Sequence, residues 1–377
     1  MSGRGRRRAW AELLRVSAVF TVPGDALAGA AAAGVRPGAR TGLAVGASVC
    51  LYEAGMALND WADREEDAAE RPERPIPSGR IRPGAALAAA GGLTAAGLVL
   101  AACAGRRAAA VAGALAGTVW AYDLGLKHTK AGPAAMAAAR SLDLLLGAAA
   151  ASPGGIRPAL PSALALGGHT YAVTAVSRRE TQGGAPLTSL AALAGTALLA
   201  VATTRPTTGR AWTGLGLAGL AALPEPGVLS APAGPGAASA LAGPNLNLPR
   251  LADAVIGLPA LPEPGPSGPR PAETAGRVRA LAEAGLAGAW RLTGPGRGPA
   301  ALAGLAALYA GTVGWPLVHA VLNPSPPLTQ KAVGGGIRAM IPLQAALAAR
   351  AGAPGTALAL AGLVPVARRL SRKVNPT

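Results

Sequence analysis

The chain has 377 residues, 51% of them hydrophobic and only 14% charged, with a mean hydropathy of +0.35. Soluble domains carry about 25% charged residues, so these proportions exclude an ordinary soluble protein. The formal net charge of +17 would suggest nucleic acid in a soluble chain. Here the arginines flank apolar windows, as they do in cytoplasmic membrane loops, and no aromatic-basic surface pattern points to RNA or DNA.

The basic start, with Arg4, Arg6, Arg7 and Arg8, argues for a cytoplasmic N-terminus. No small-residue cleavage site stands out from its alanine background, so a cleaved signal is not expected. A first span is expected over Trp10 to Gly34, with Asp25 inside it after Pro23-Gly24. A carboxylate within a span is costly unless it faces a cavity or a partner, which makes Asp25 a candidate pocket residue.

The second span, Thr41 to about Trp61, carries Tyr52 and Glu53 and runs into the densest polar stretch of the chain, LNDWADREEDAAERPERPIPSGRIR (Leu58 to Arg82). If the helix continues, Asp60, Asp63 and Asp67 stand at i, i+3 and i+7 and share one face. Asn59 then pairs with Asp63 at i+4, and Glu53 lies one heptad above Asp60. Pro72, Pro75, Pro77-Ser78-Gly79 and Pro83 break any helix after it. That loop is short enough to fold Arg71, Arg74 and Arg80 back over the carboxylates. Carboxylates followed by guanidiniums at a membrane edge read as a metal and diphosphate site. An EF-hand is excluded, because no Gly follows the third acidic residue in the required place.

The third span is Gly84 to Gly105, and a turn at Arg106-Arg107 leads into the fourth, Ala108 to about Leu126. By counting crossings, its end places Tyr122, Asp123, Lys127 and Lys130 at the same membrane face as the acidic stretch. In the fifth span, Ala134 to Ala151, Arg140 and Asp143 stand at i, i+3 and are able to neutralise each other. The sixth, Ala159 to Val176, precedes SRRETQGG, where Glu180 is the sole carboxylate beside Arg178 and Arg179; the seventh is Leu187 to Thr203. Cys50 and Cys103 lie in separate apolar windows and read as core thiols. His128, His169 and His319 have no metal-ligand spacing.

Residues 224-299 are rich in Pro and Gly and are expected to be a disordered insertion. They separate a first part of the bundle, 1-223, from the last helices and basic tail, 300-377. Further spans are expected over Ala300 to Leu322 and, as one long or two short helices, over Gly334 to Val366. The expected architecture is an all-α polytopic membrane bundle of about nine transmembrane helices.

With these residues placed, the chain resembles the UbiA superfamily of intramembrane prenyltransferases. That family's first acidic signature, Asn-Asp-x-x-Asp-x-x-x-Asp, matches Asn59, Asp60, Asp63 and Asp67, and its Arg-Pro-x-Arg-Pro-x-x-x-Gly pattern matches Arg71 to Gly79. Its tyrosine-to-lysine element resembles Tyr122 and Lys127. More narrowly, TVPGDALAG, YxxGMxLND, RPIPSG, YDxxLK and TAVSRRE look like the bacterial branch found with Ebo-type gene clusters. One departure stands out: most of the superfamily carries a second Asp-rich motif after the sixth span, and here Ala175 to Gly184 offers only Glu180 and two arginines.

The resemblance implies a Mg²⁺-dependent transfer of a prenyl group from an allylic prenyl diphosphate to a lipophilic or aromatic acceptor. It also implies a central cavity open to the cytoplasmic side of a multi-pass cell-membrane protein in the lipid bilayer. Asp60, Asp63 and Asp67 are then the Mg²⁺ ligands and Asn59 a neutral ligand or orienting group. Arg71, Arg74 and Lys127 grip phosphate oxygens, and by their placement Tyr122 and Tyr171 are expected to line the position of the allylic cation. From the SRRE sequence at the second-motif position, Arg178 or Arg179 is expected to replace part of the missing metal charge, with Glu180 binding or orienting a single Mg²⁺. The rival reading is a non-catalytic membrane protein of the same fold, a prenyl-diphosphate binder or small-molecule transporter. Asp60, Asp63 and Asp67 facing one cavity with Arg71 and Arg74 would favour the enzyme; side chains splayed apart would favour its rival.

Overall fold

A computed structural model of the chain describes residues 3–15, 21–178, 186–204 and 298–374. In chain order its helices are α1 (Gly3–Leu13), α2 (Val22–Ala32), α3 (Ala39–Ala62), α4 (Arg64–Glu70), α5 (Pro83–Ala104) and α6 (Arg106–Leu124). After a short 3-10 turn, Leu126–His128, follow α7 (Gly132–Ala151), α8 (Ile156–Ser177) and α9 (Pro186–Thr204). The last three are α10 (Gly298–Leu322), α11 (Pro326–Arg350) and α12 (Pro354–Val374). Among the described residues there is no strand. Six helices, α3, α5, α7, α9, α10 and α11, are long and apolar enough to cross a bilayer. The protein is a multi-pass helical membrane protein. Apart from its last two residues, the 224-299 insertion lies outside the described residues.

The first expected span is not one helix. α1 stops at Leu13, Arg15 takes a left-handed backbone (φ 48°), and α2 starts only at Val22. Pro23 stands in the first turn of α2, where a missing N–H has no intrahelical acceptor to disappoint. At the other end, the 334–366 window resolves into two helices. Gly352 (φ 76°) closes α11, with Gly352 N–H donating to Ala349 O and Ala353 N–H to Ala348 O. Pro354 then opens α12.

Small residues set how closely the helices meet. At the crossing of α2 and α7, a Cβ on Gly29 would stand 1.9 Å from Leu144 O, and one on Gly147 would stand 2.1 Å from Ala26 O. Backbones in van der Waals contact replace the side-chain interdigitation of a soluble bundle, as membrane helices with small residues permit. One apolar core gathers Leu144, Leu166, Tyr309 and Leu343 from α7, α8, α10 and α11. Another gathers Leu51, Leu115 and Leu146 from α3, α6 and α7. Within the first, His169 is fully enclosed between Tyr309 and the backbone of α11. Gly336 O can only accept, so Nε2 carries the imidazole proton and Nδ1 accepts from the Tyr309 hydroxyl, each at 3.0 Å.

The pairing expected of Arg140 is also redrawn. Its guanidinium is 4.0 Å from Asp143 but forms its direct ion pair with Asp25, a residue 0% exposed. Gln344 Nε2 donates to the other Asp25 oxygen at 2.6 Å and to Thr21 O at 2.8 Å. Asp25 is therefore a lock among α2, α7 and α11 rather than a residue open to a pocket. The thiols also depart from expectation: Cys103 is exposed on the outer face of α5 and Cys50 is half-buried, because neither helix turns that side inward.

Candidate active site

The acidic stretch forms at a helix junction. α3 ends at Ala62, and Asp63 (φ −86°, ψ 6°) links it to α4. The register nearly survives the break, since Asp63 N–H donates to Asn59 O and Asp67 N–H to Asp63 O. Asp60 and Asp67, both buried, therefore stay on one side. The single nitrogen Arg74 Nη1 reaches both, at 3.5 Å from Asp60 Oδ1 and 2.6 Å from Asp67 Oδ2. The half-buried Asp63 carboxylate turns toward α6, where it pairs with Lys127. The Asn59 amide donates to Asp63 Oδ2 at 3.1 Å and to Asp123 Oδ1 at 3.3 Å. Two donors on two carboxylates make Asn59 an orienting group.

The proline loop brings back one arginine of the three. Arg71 N–H closes α4 on Asp67 O, yet its side chain stays exposed. Arg74 sits one 3-10 turn further on, its N–H donating to Arg71 O, and this turn aims its guanidinium inward. Arg80 points away: it pairs with Glu12 of α1 and donates to Glu73 O at 2.6 Å. Gly79 (φ 71°) reverses the chain just before it, which directs Arg80 to the opposite side of the loop.

From α6 come Tyr122, Asp123 and, past Gly125, Lys127. Lys127 is largely enclosed, its side chain 9% exposed. Tyr122 is half-buried within electrostatic reach of Asp63 and Arg178. Arg178, at the end of α8, donates to the Thr129 carbonyl and so ties α8 to the loop that carries Lys127. Arg179 and Glu180 lie outside the described residues. One member of the site escapes a motif-based reading. Arg15 pairs with Asp60 at 3.2 Å from the end of α1, a contact across 45 residues that no local spacing reveals. Asp123, expected at this membrane face, is brought to the site by the Asn59 amide.

Asp60, Asp63 and Asp67 with Arg15, Arg74 and Lys127 thus meet where α3, α4 and α6 end. Comparison with known proteins places the chain in a family. The UbiA prenyltransferase family profile matches residues 17–246, more than half of the chain. The chain belongs to the UbiA prenyltransferase family. It is 38% identical over 127 residues to the digeranylgeranylglyceryl phosphate synthase of Methanopyrus kandleri, covering 32% of this chain and 45% of that one. To the synthase of the same name from Ignicoccus hospitalis it is 33% identical over 129 residues, covering 34% and 42%. The alignments thus span less than half the length of these curated relatives. A solved structure described for digeranylgeranylglyceryl phosphate synthase in membranes superposes with a TM-score of 0.50 at 14% identity, covering 92% of this chain and 98% of the other. That likeness is one of fold.

UbiA prenyltransferases generally use Mg²⁺. Among the described residues no three acidic, imidazole or thiol side chains form a ready metal cage. Mg²⁺ rarely needs one: it takes one or two carboxylates, keeps waters and completes its shell with substrate phosphates. Asp60 and Asp67, drawn to one guanidinium nitrogen, supply hard oxygens in that number. The donor set fits the ion.

Proposed function

We propose that this UbiA-family protein is an intramembrane prenyltransferase, moving a prenyl group from an allylic prenyl diphosphate to a lipophilic or aromatic acceptor. The single observation that carries the reading is the meeting of Asp60, Asp67 and Arg74, with Asp63 and Lys127 beside them, at one end of the bundle. Asp60, Asp63 and Asp67 are the residues to hold Mg²⁺, which supplies charge neutralisation for the departing diphosphate. Arg74 and Lys127 bind phosphate oxygens through charge-assisted hydrogen bonds. Both are held by carboxylates beforehand, so they need little reordering when the anion arrives.

The remaining residues are assigned by position. Arg15 joins the phosphate clamp through Asp60, and Arg71, exposed at the rim, meets the incoming anion first. Arg178 holds the Lys127 loop in place, Glu180 stays assigned to a cation by resemblance, and Tyr122 offers its ring to the allylic cation. Apolar helix faces of Ala, Gly and Leu exclude water, which would otherwise capture that cation.

The acceptor is proposed to be a lipid. The matched relatives are named for synthesis of a prenylated glyceryl phosphate, and that supports a lipophilic acceptor over an aromatic one. About nine crossings, a cytoplasmic N-terminus and site loops on the same side complete the reading, as does the narrower likeness to the Ebo-associated branch. The test is purified protein in lipid nanodiscs with Mg²⁺, a panel of prenyl diphosphates and cell lipid extract. The expected result is diphosphate release together with a new prenylated lipid by mass spectrometry. Release that persists in Asp63→Ala would refute the assignment.

A further inference from the structure

The buried acidic side chains of the described residues are partnered, with one exception. Asp25 and Asp143 have Arg140, Asp60 has Arg15 and Arg74, and Asp67 has Arg74. Asp123 accepts from the Asn59 amide, with Lys127 within electrostatic reach. Glu53, well inside α3, has no such group. It is 7% exposed, its Oε2 meets no hydrogen-bond partner, and no cation of the described residues pairs with it. A polar group enclosed without a partner is costly, and the more so inside a bilayer span.

Its position points to what relieves that cost. Glu53 stands two turns before Asp60 on one unbroken helix, about 10 Å along the axis and about 20° round it. It therefore shares the face of Asp60 but lies farther into the span. Its half-buried neighbour Tyr52 is within electrostatic reach of both Glu53 and Arg15, the partner of Asp60. The carboxyl thus sits beneath the proposed diphosphate clamp, at the level where a lipid acceptor brings its nucleophile. A hydroxyl serves it in either protonation state, donating to a carboxylate or exchanging two hydrogen bonds with the neutral acid. We propose that Glu53 binds a hydroxyl group of the lipid acceptor, so that the acceptor is an alcohol. The reaction in this statement rests on the prenyltransferase reading above; the binding of a hydroxyl lipid is measurable without it.

Leu and Gln at this position separate a ligand contact from a support of the fold. Glu53→Leu fills similar space without a polar atom; Glu53→Gln keeps a carbonyl oxygen that accepts from a hydroxyl. The full chain is titrated with 1-O-hexadecylglycerol and with its fully O-methylated analogue, which has no hydroxyl to donate. Bound lipid is read by native mass spectrometry. Affinity for an unreactive prenyl thiodiphosphate and the thermal midpoint without ligand are recorded for each variant.

The expected result is that the unsubstituted chain holds hexadecylglycerol about tenfold more tightly than the methylated analogue. E53Q keeps most of that preference, and E53L abolishes it while thiodiphosphate affinity stays within about twofold. The E53L midpoint rises, because an orphaned polar group gives way to an apolar one. No preference for the hydroxyl lipid in the unsubstituted chain, or a preference that E53L retains, would overturn the proposal. Should E53L not stay monodisperse, E53M takes its place; failure of both would make Glu53 a support of the fold and overturn the proposal as well. A Glu53-dependent preference with no prenylated product from any donor would sink the prenyltransferase reading and leave the hydroxyl site standing.

Discussion

Arg74 Nη1 lies 2.6 Å from Asp67 Oδ2, joining the proline loop to the helix that precedes it. The contact spans seven residues, and it also brings the guanidinium to within 3.5 Å of Asp60. A residue that holds two carboxylates apart from solvent and offers its remaining N–H groups to an anion should matter to both binding and chemistry. Arg74→Ala is predicted to lower turnover by about 100-fold, the usual loss for a preorganised electrostatic group. Arg74→Lys should fall between, because a point charge cannot serve both carboxylates and a phosphate with a planar fork. Steady-state prenyl transfer by the two variants checks this.

Lys127 calls for a separate prediction. Its ammonium is largely enclosed and paired with Asp63, so Lys127→Met removes a charge from the proposed diphosphate site. Loss of a hydrogen bond to a charged group corresponds to about 1.5–3 kcal/mol, roughly a tenfold to hundredfold rise in the dissociation constant for prenyl diphosphate. The measurement is binding of a prenyl thiodiphosphate by calorimetry in nanodiscs. A rise under twofold would contradict a phosphate-binding role.

The buried lock predicts a different kind of defect. Arg140 and Asp25 pair inside the bundle, and removing one partner leaves a charge with no solvent to take it. Breaking such a pair costs about 3–5 kcal/mol. Asp25→Asn and Arg140→Gln should each lower the thermal midpoint markedly, and the double substitution should be less damaging than the sum of the two. Thermal unfolding of the four proteins in one detergent reads the coupling directly; simple additivity would show that the pair does not stabilise the fold.

At the crossing of α2 and α7, Gly147→Ala should destabilise the protein although alanine is the better helix former. The added methyl would stand 2.1 Å from Ala26 O, so α2 and α7 must separate. Overpacking of this kind costs about 1–3 kcal/mol. A thermal midpoint equal to that of the unsubstituted chain would mean that the two helices do not meet as described.

Much of this architecture is legible in the order of the residues, and the reason is local. Windows such as Thr41 to Trp61 and Leu187 to Thr203 become α3 and α9 with ends shifted by a few residues, because an apolar run long enough to cross a bilayer has few alternatives to helix. The acidic signature is legible for the same reason: Asn59 and Asp63 are neighbours on one turn, and their bond is present. What stays hidden depends on distant partners. Arg140 looks like the partner of Asp143 three residues away, yet it takes Asp25, 115 residues distant, which also binds Gln344 from a separation of 319. Arg15 reaches Asp60 only because α1 ends early and the backbone turns left-handed. Arg80 shows the converse, since standing next to the motif does not keep it from leaving for Glu12.

The meeting of Asp60, Asp63, Asp67, Arg74 and Lys127 is proposed to make this chain an enzyme that releases diphosphate from an allylic prenyl donor. The most direct measurement is diphosphate release by the purified full chain in nanodiscs, with Mg²⁺ and lipid acceptors, compared with Asp63→Ala and with Mg²⁺ chelated. The expected result is release coupled one-to-one to a prenylated lipid, lost in the variant and on chelation. Release unchanged by Asp63→Ala, or binding of the prenyl diphosphate with no release for any donor and acceptor, would contradict it.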